Sequence, residues 1–383
     1  MSGAGMNPMP GPVPVLIMAR ELNLGGVERD VAKIATHLDR SRFQPHVGTF
    51  QAHGLRYEEL RAAGVPVVHF PMLSVWSTQY LRSSAKLWRY IRANGIRIVH
   101  SYDPSGVMSV PVARAAGVPV VISSQLSYRE ILDRSTKVMS RMTDYLADAV
   151  LVNCEAIRRY MIESQHVQEG RVELCYNGVA TADFYPAQVQ RPAEVADATL
   201  VVGTVCVLRP EKALTLLQEA FARVSRQKPG MKLVLVGSGA QLPVLQSNAE
   251  RLGLGHSCVF IPATREVAMW MRAMDVFVLP SYSEAFSNAL LEAMACGCAV
   301  VGSRVGGTPE LIGANEERGL LFESGNLEDL ANKLDIMAGD ETLRREYGGR
   351  AAKFVRENLT IEIAAERTAS MYERILRRKT GVS

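Results

Sequence analysis

This 383-residue chain lacks any apolar run of the roughly 20 residues that crossing a bilayer takes, so no spanning helix is expected. Residues 1–14 are rich in Gly, Pro and Met and lack the basic, apolar, cleavage-site order of a secretory signal. They read as a flexible tail, with the first domain beginning near residue 13. The six cysteines form no paired framework, and Cys296 and Cys298 have no further ligands spaced around them for a metal. Free thiols in a reducing cytoplasm are the simpler reading. Charge of one sign is lacking too: 43 Lys and Arg against 39 Asp and Glu leave only +4, and no nucleic-acid partner is expected.

What is present is globular in character, 48% hydrophobic and 21% charged, and too long for one typical core. Strands are expected over 13–20, 44–50, 67–69, 96–101, 118–123 and 149–153. A Gly25-Gly26 turn follows the first of these and a helix runs over 27–38. Residues 186–198 (PAQVQRPAEVADA for 186–198) are polar, Pro- and Ala-rich and poorly periodic, which reads as a linker. A second strand–helix series runs from Leu200 to about residue 359, and a last helix covers 361–378. The expected domains are therefore 13–190 and 198–360. Alternation in both halves implies an α/β protein of two Rossmann-like, doubly wound domains facing across a cleft.

The most informative stretch is 281–307, SYSEAFSNALLEAMACGCAVVGSRVGG. The apolar run VFVLP before it reads as a buried strand, 288–296 as a helix stopped by Gly297, and 299–302 as the next strand. Glu284 precedes the helix and Glu292 lies inside it, seven residues between them. The loop thus falls at the carboxyl end of a strand, where open α/β sheets bind ligands. The first backbone N–H groups of the helix, around Phe286, Ser287, Asn288 and Ala289, make an anion site suited to phosphate. Carboxylates beside such a site serve best by accepting from neutral hydroxyls, ribose on one side and hexose on the other. Taken singly, Glu284 reads as well as a helix cap, and Glu292 as a solvated surface residue.

The segment SEAFSNALLEAMACGCAVVGSRVGG resembles the signature of glycosyltransferase family 4, the glycosyl transferases group 1, which are retaining enzymes of the GT-B fold. The resemblance extends through VGTVCVLRPEKALTLLQEAF, KLVLVGSGAQLPVL, FIPATREVAMWMRAMDVFVLPS and GLLFESGNLEDLA, and to GGVERDVAKIATHL near the amino terminus. It implies a nucleotide-diphosphate sugar as donor, UDP- or GDP-linked, and a hydroxyl acceptor on a glycan, a lipid-linked carrier or a small metabolite. It implies no cofactor. The Asp-x-Asp triplet that marks metal binding in the other large glycosyltransferase fold occurs nowhere, so no catalytic metal is expected. The final helix, in this fold, commonly crosses back to the amino-terminal domain.

The resemblance also assigns roles. Glu292 would hold ribose, Glu284 the hexose hydroxyls, and the Ser287 and Asn288 amides the diphosphate together with Arg209 and Lys212. Two cations at a strand's carboxyl end neutralise charge that develops on a leaving diphosphate. The family's arginine usually stands where this chain has Val207, and Arg209 is the nearest substitute. Gly25 and Gly26 would border the diphosphate and the acceptor entrance, although a plain structural turn explains them equally well. Gly237 lies in a Gly-x-Gly turn whose third fingerprint position is Leu242, too incomplete for a dinucleotide site. The resemblance places that turn beside the donor, with Thr264 and Arg265 near the base. His100 is expected after a strand and near the transferred sugar, with Tyr102 and Asp103 on the acceptor side. Tyr102 replaces a histidine common in the family, and a lone histidine is more often structural.

Residues 80–97 carry Arg82, Lys86, Arg89, Arg92 and Arg97, interleaved with Leu81, Leu87, Trp88, Tyr90 and Ile91 and without an acid. This reads either as a core-packed helix with a solvated basic face or as a peripheral contact with anionic lipid at the cytoplasmic face of a membrane. A nucleotide-sugar epimerase, a phosphorylase of the same architecture and a non-catalytic nucleotide-sugar binder remain alternatives to transfer.

Overall fold

In a computed structural model, which describes residues 11–23, 25–72, 77–102, 104–129 and 134–381, short runs rich in Val, Leu and Ile become parallel strands buried on both faces. Residues 1–10 of the expected tail, and Asp103, lie outside the described residues. The chain divides into two compact units, residues 1–178 with 361–383, and residues 179–360.

The first unit holds β1 (Val13–Ala19), β2 (Phe43–Thr49), β3 (Val67–His69), β4 (Ile98–Tyr102), β5 (Val120–Gln125), β6 (Ala149–Val152) and β7 (Val172–Leu174). They pair in parallel in the order β3-β2-β1-β4-β5-β6-β7, with Ile17 opposite His100. The order reverses between β1 and β4, which makes their carboxyl ends this unit's switch point. Leu16, Met18, Val99 and Val121 of the sheet pack with Leu87 and Ile91 of helix Thr78–Ala93 and Met108 of helix Gly106–Ala115. The last helix, Ile361–Thr380, packs against helix Gly26–His37 in this unit. Arg42 holds it through Glu366 (2.5 Å) and Glu373 (2.9 Å), and Tyr372 and Ile375 fill its buried face.

The second unit holds β8 (Leu200–Val205), β9 (Met231–Val236), β10 (Cys258–Ile261), β11 (Val276–Leu279), β12 (Ala299–Ser303) and β13 (Leu320–Phe322). Their order is β10-β9-β8-β11-β12-β13, parallel throughout, so the switch point lies between β8 and β11. Leu217, Ala220 and Phe221 of helix Leu214–Ser225 meet Leu233, Leu235 and Val278 of the sheet in one core.

The chain leaves the first unit at Gly178, not near residue 190 as composition suggests. Tertiary contacts that composition hides bind 179–198 to the second unit. The Arg272 guanidinium lies 4.2 Å from the Tyr185 ring and donates to the Tyr185 carbonyl, Arg191 pairs with Asp275 at 2.6 Å, and Val195 is fully buried. The stretch 186–198 is therefore a strap on that unit, not a free linker.

Helix Asn288–Ala295 is fixed at both ends. Ser287 Oγ accepts from the Leu290 N–H at 3.3 Å, a cap that contributes about 1 kcal/mol. Gly297 N–H donates to Met294 and Cys298 N–H to Ala293, the paired bonds of a Schellman ending. Gly348, inside helix Glu341–Asn358, lies so close to that ending that a Cβ on it would stand 2.1 Å from the Gly297 carbonyl oxygen. Helix propensity alone favours Gly348→Ala by about 1 kcal/mol. The backbone contact reverses the sign, and a net loss of about 1–3 kcal/mol is expected, read as a lower Tm. An unchanged or higher Tm would contradict this packing.

Candidate nucleotide-sugar site

The candidate site of the second unit is built from loops that all leave the carboxyl edge of one parallel sheet. After β8 the chain turns through Pro210–Lys212, and Ala213, at φ +50°, swings it into helix Leu214–Ser225. A non-glycine residue in that left-handed conformation costs about 1–2 kcal/mol, so the direction of Lys212 is set by a turn the fold holds against its preference. After β11 the chain passes Ser281 to Glu284 before the Ser287 cap. The Tyr282 N–H donates to the Glu211 carbonyl at 2.8 Å, tying the two loops together.

The result is an ion pair between Lys212 Nζ and Glu284 Oε2 at 2.6 Å, with side chains only 20% and 15% exposed. Ser281 Oγ donates to the same carboxylate oxygen at 3.4 Å. Ser281 is itself fully buried, and its carbonyl accepts from Ser303 Oγ at 2.7 Å and Ser324 Oγ at 3.5 Å. Three serines, from the exits of β11, β12 and β13, thus hold the Glu284 loop. No sequence reading singled them out, though a serine at each strand exit was the available signal. Gly306, at φ +50°, completes the hold: a Cβ there would stand 1.8 Å from the Glu284 carbonyl oxygen, so only glycine fits.

The helix behind the loop presents Ser287, Asn288 and Ala289 in its first turn and carries Glu292 one turn further on. Glu292 is 1% exposed among Leu290, Leu291, Ala293 and Met294. The solvated-surface alternative for Glu292 is therefore removed, because a carboxylate is costly to bury without a purpose. Arg209 differs from its neighbour Lys212. Its side chain is 64% exposed and pairs only at 3.9 Å with Glu211. Val207, in the family's arginine position, is exposed. Cys206, between these groups and the sheet, is held as a neutral thiol, since burial pushes its pKa up to about 12.

Gly237 and Gly239 lie in the turn after β9, and both approach the β8 loop closely. A Cβ on Gly237 would stand 1.9 Å from the Cys206 carbonyl oxygen and one on Gly239 2.4 Å from that of Leu208. Ser238 Oγ accepts from the Ala263 N–H at 3.1 Å, linking this turn to the loop after β10. There Thr264 Oγ1 accepts from the Glu266 N–H, and Arg265 is exposed. The sequence candidates of this unit therefore share one edge, with Lys212 and Glu284 in direct contact.

In the first unit, Gly25 caps helix Gly26–His37 without a side-chain acceptor, and the Glu28 carboxylate lies against it. His100 departs from expectation. It stands inside β4, not after it, and is fully buried: Nδ1 lies 2.6 Å from Tyr372 Oη and Nε2 2.6 Å from Ser124 Oγ. Tyr102 is 4% exposed with its ring 4.6 Å from that of His100, and burial raises its phenol pKa strongly. The adjoining cavity, lined by Asp30, Tyr102, Asn177 and Thr368, measures about 20 Å³, room for one water and not for a sugar. Both side chains are corrected to core positions. The strand runs one residue past the expected end at 101, and the final helix closes over it.

Sequence models of two families match the chain. Glycosyltransferase Family 4 covers residues 24–183 and Glycosyl transferases group 1 covers residues 188–354. The chain belongs to the group 1, family 4-like glycosyltransferases, and its fold is of the GT-B class. Among curated proteins it is similar to the D-inositol 3-phosphate glycosyltransferase of Kribbella flavida, 32% identical over 59% of this chain and 56% of the relative. It is also similar to the N-acetyl-alpha-D-glucosaminyl L-malate synthase of Bacillus anthracis, 30% identical over 53% of each. The match thus spans about half the length of these relatives. Among solved structures, HepE of Anabaena in complex with UDP and glucose shares the fold with a TM-score of 0.81. That pair is 21% identical, over 94% of this chain and 99% of HepE.

The burial of His100 has a measurable consequence. Its pKa falls from 6.5 to about 3 because burial disfavours the imidazolium. Between those values the unfolded chain binds a proton that the folded chain does not, so the stability present above about pH 6.5 is lost as pH falls toward 3. One such group contributes roughly 1.4 kcal/mol per pH unit. In His100→Gln, which retains polar contacts without titrating, Tm should fall less steeply than in wild type between about pH 6.5 and about pH 4. Parallel slopes would contradict the buried neutral imidazole.

Proposed function

We propose that the protein is a retaining, metal-independent glycosyltransferase that moves a hexose-type sugar from a UDP- or GDP-sugar to a hydroxyl acceptor. The observation that carries this reading is the Lys212–Glu284 ion pair at the switch point, in front of a capped helix that also bears a buried Glu292. Donor diphosphate would occupy the first-turn amides of Ser287, Asn288 and Ala289. The Lys212 ammonium would then pass from Glu284 to the diphosphate, leaving Glu284 to accept from hexose hydroxyls while Glu292 takes the ribose. Arg209, exposed and loosely held, would swing onto the diphosphate from solvent. Thr264 and Arg265 would edge the base.

The chemistry needs no protein nucleophile. The bond from the anomeric carbon to the diphosphate oxygen breaks, and the acceptor oxygen bonds to the same face of that carbon. The acceptor's proton goes to the departing phosphate oxygen. Lys212 neutralises the charge that develops there, the part of catalysis that acts only in the transition state. Gly25 and Gly26 would border the diphosphate and the acceptor entrance, and Asp103 remains the acceptor-side candidate of the first unit. The HepE complex with UDP supports a uridine nucleotide, and the curated relatives, named for inositol phosphate and malate, support a hydroxylated acceptor. The basic stretch 80–97 would hold the protein at the cytoplasmic face of an anionic membrane.

A thermal-shift panel of UDP-, GDP- and ADP-sugars with their free diphosphates, without added metal, tests the reading. Tm should rise with one nucleotide class, by an amount set by ligand concentration over Kd, and Glu292→Ala should abolish the rise. No shift with any of them would remove the donor assignment.

A further inference from the structure

The serine bonds that hold the Glu284 loop also bring three other side chains to one corner of the second unit's sheet. Each serine has an exposed neighbour in sequence: Tyr282 after Ser281, Arg304 after Ser303, and Glu323 before Ser324. Strands β11, β12 and β13 are adjacent and parallel, with Ser303 opposite Phe322, so these neighbours leave the sheet side by side. The Arg304 N–H donates to the Phe322 carbonyl at 2.8 Å, and Arg304 Nε donates to Glu323 Oε1 at 2.9 Å. The turn that follows β13 is fixed as well. The Glu323 N–H donates to Asp329 Oδ2 at 2.8 Å, and the Asn326 N–H to the Glu323 carbonyl at 2.9 Å.

Tyr282 is 51% exposed, so a flat and largely apolar ring stands half in water at this corner. Gly325 lies against it: a Cβ there would stand 3.6 Å from Tyr282 Cε1, and a φ of +78° favours glycine at that position. The Arg304 and Glu323 side chains are 39% and 65% exposed, and an ion pair so open contributes little to stability. It can exchange its mutual contact for hydroxyl groups at little cost. The corner therefore offers an apolar platform beside a guanidinium that donates and a carboxylate that accepts, with no net charge. A pyranose ring is the complement, with an apolar C–H face, a rim of neighbouring hydroxyls and no charge. Glu323 disfavours a phosphate here, and the residues proposed for the nucleotide base follow β10, three strands away from β11.

We propose that Tyr282, Arg304 and Glu323 form a subsite for a sugar ring of the acceptor, which makes the acceptor a glycan. This rests on the glycosyltransferase reading and narrows its acceptor class. Thr264 and Arg265 follow β10, Lys212 follows β8 and Glu284 follows β11, so base, diphosphate and hexose take that half of the sheet edge. Strands β12 and β13 lie one and two strand spacings further on, at about 4.8 Å each. A ring held there is past the transferred hexose, where the second sugar of a new glycosidic bond belongs. Its C–H face stacks on Tyr282, Arg304 donates to one hydroxyl and Glu323 accepts from the next. No bond is made or broken at this subsite.

Saturation-transfer difference NMR with methyl pyranosides tests it. The probes are the methyl α-glycosides of glucose, galactose, mannose and N-acetylglucosamine, with glycerol as a hydroxylated control that has no ring. At least one pyranoside should receive saturation at the C–H protons of one ring face, and glycerol should receive none. Tyr282→Ala should weaken binding of that pyranoside about tenfold, whereas Tyr282→Phe should retain it. Arg304→Gln with Glu323→Gln should weaken it as well. Unchanged thermal unfolding would show that these exposed-site variants remain folded. Calorimetry separates the subsite from the donor: Tyr282→Ala should bind UDP, GDP and their sugars as wild type does. Three outcomes would overturn the proposal. They are no saturation of any pyranoside, saturation that persists in Tyr282→Ala, or a Tyr282→Ala variant that loses affinity for the nucleotide sugar and not for its free diphosphate. The last would give the platform to the donor hexose. Protein that binds a pyranoside through Tyr282 but no nucleotide would keep the subsite and remove the donor reading instead.

Discussion

Lys212 and Glu284 are 72 residues apart in sequence and meet because β8 and β11 are neighbours whose following connections depart in opposite directions. A parallel sheet wound this way leaves a gap at the carboxyl ends of those two strands, and any loop residue there faces it. The rest of the second unit reads as support for that gap. A left-handed Ala213 aims the lysine, and three strand-exit serines hold the glutamate loop. Gly306 lets the next loop lie against it. Changes to these supports would be felt at the ion pair before they were felt in the core.

The pair joins opposite charges in a site proposed to receive an anion. An ammonium held at 2.6 Å by a carboxylate is already desolvated and oriented. A diphosphate with more negative charge can displace the carboxylate, whereas a neutral sugar cannot. The carboxylate released by that exchange is then an acceptor for hydroxyls on the sugar. One contact would thereby link recognition of the two halves of a nucleotide sugar, and the capped helix would supply the amides.

Much of the fold was legible because parallel strands buried on both faces read as near-continuous apolar runs, as in VPVLIMA of β1 and MKLVLV of β9. The Glu284–Glu292 spacing and its helix were legible for the same reason, with Gly297 marking the stop. What was not legible depended on tertiary contacts. Arg191, Tyr185 and their partners on the second unit turn an apparent linker into a strap. His100 looks like a residue leaving a strand, and only the final helix, bringing Tyr372 onto its ring 272 residues later, makes it a core group. The stripe of Val138, Met142 and Tyr145 would pass for a core face by pattern alone, and burial alone shows that it points outward.

The central claim is that Lys212 is held by Glu284 until a diphosphate takes it. The most direct test is calorimetric titration of UDP and GDP into wild type, Glu284→Gln and Lys212→Ala. Removing the competing carboxylate should tighten binding of the preferred free diphosphate, although Glu284→Gln should transfer sugar poorly, and Lys212→Ala should weaken it. Unchanged or weaker diphosphate binding in Glu284→Gln would contradict the exchange, even if wild type binds the nucleotide well.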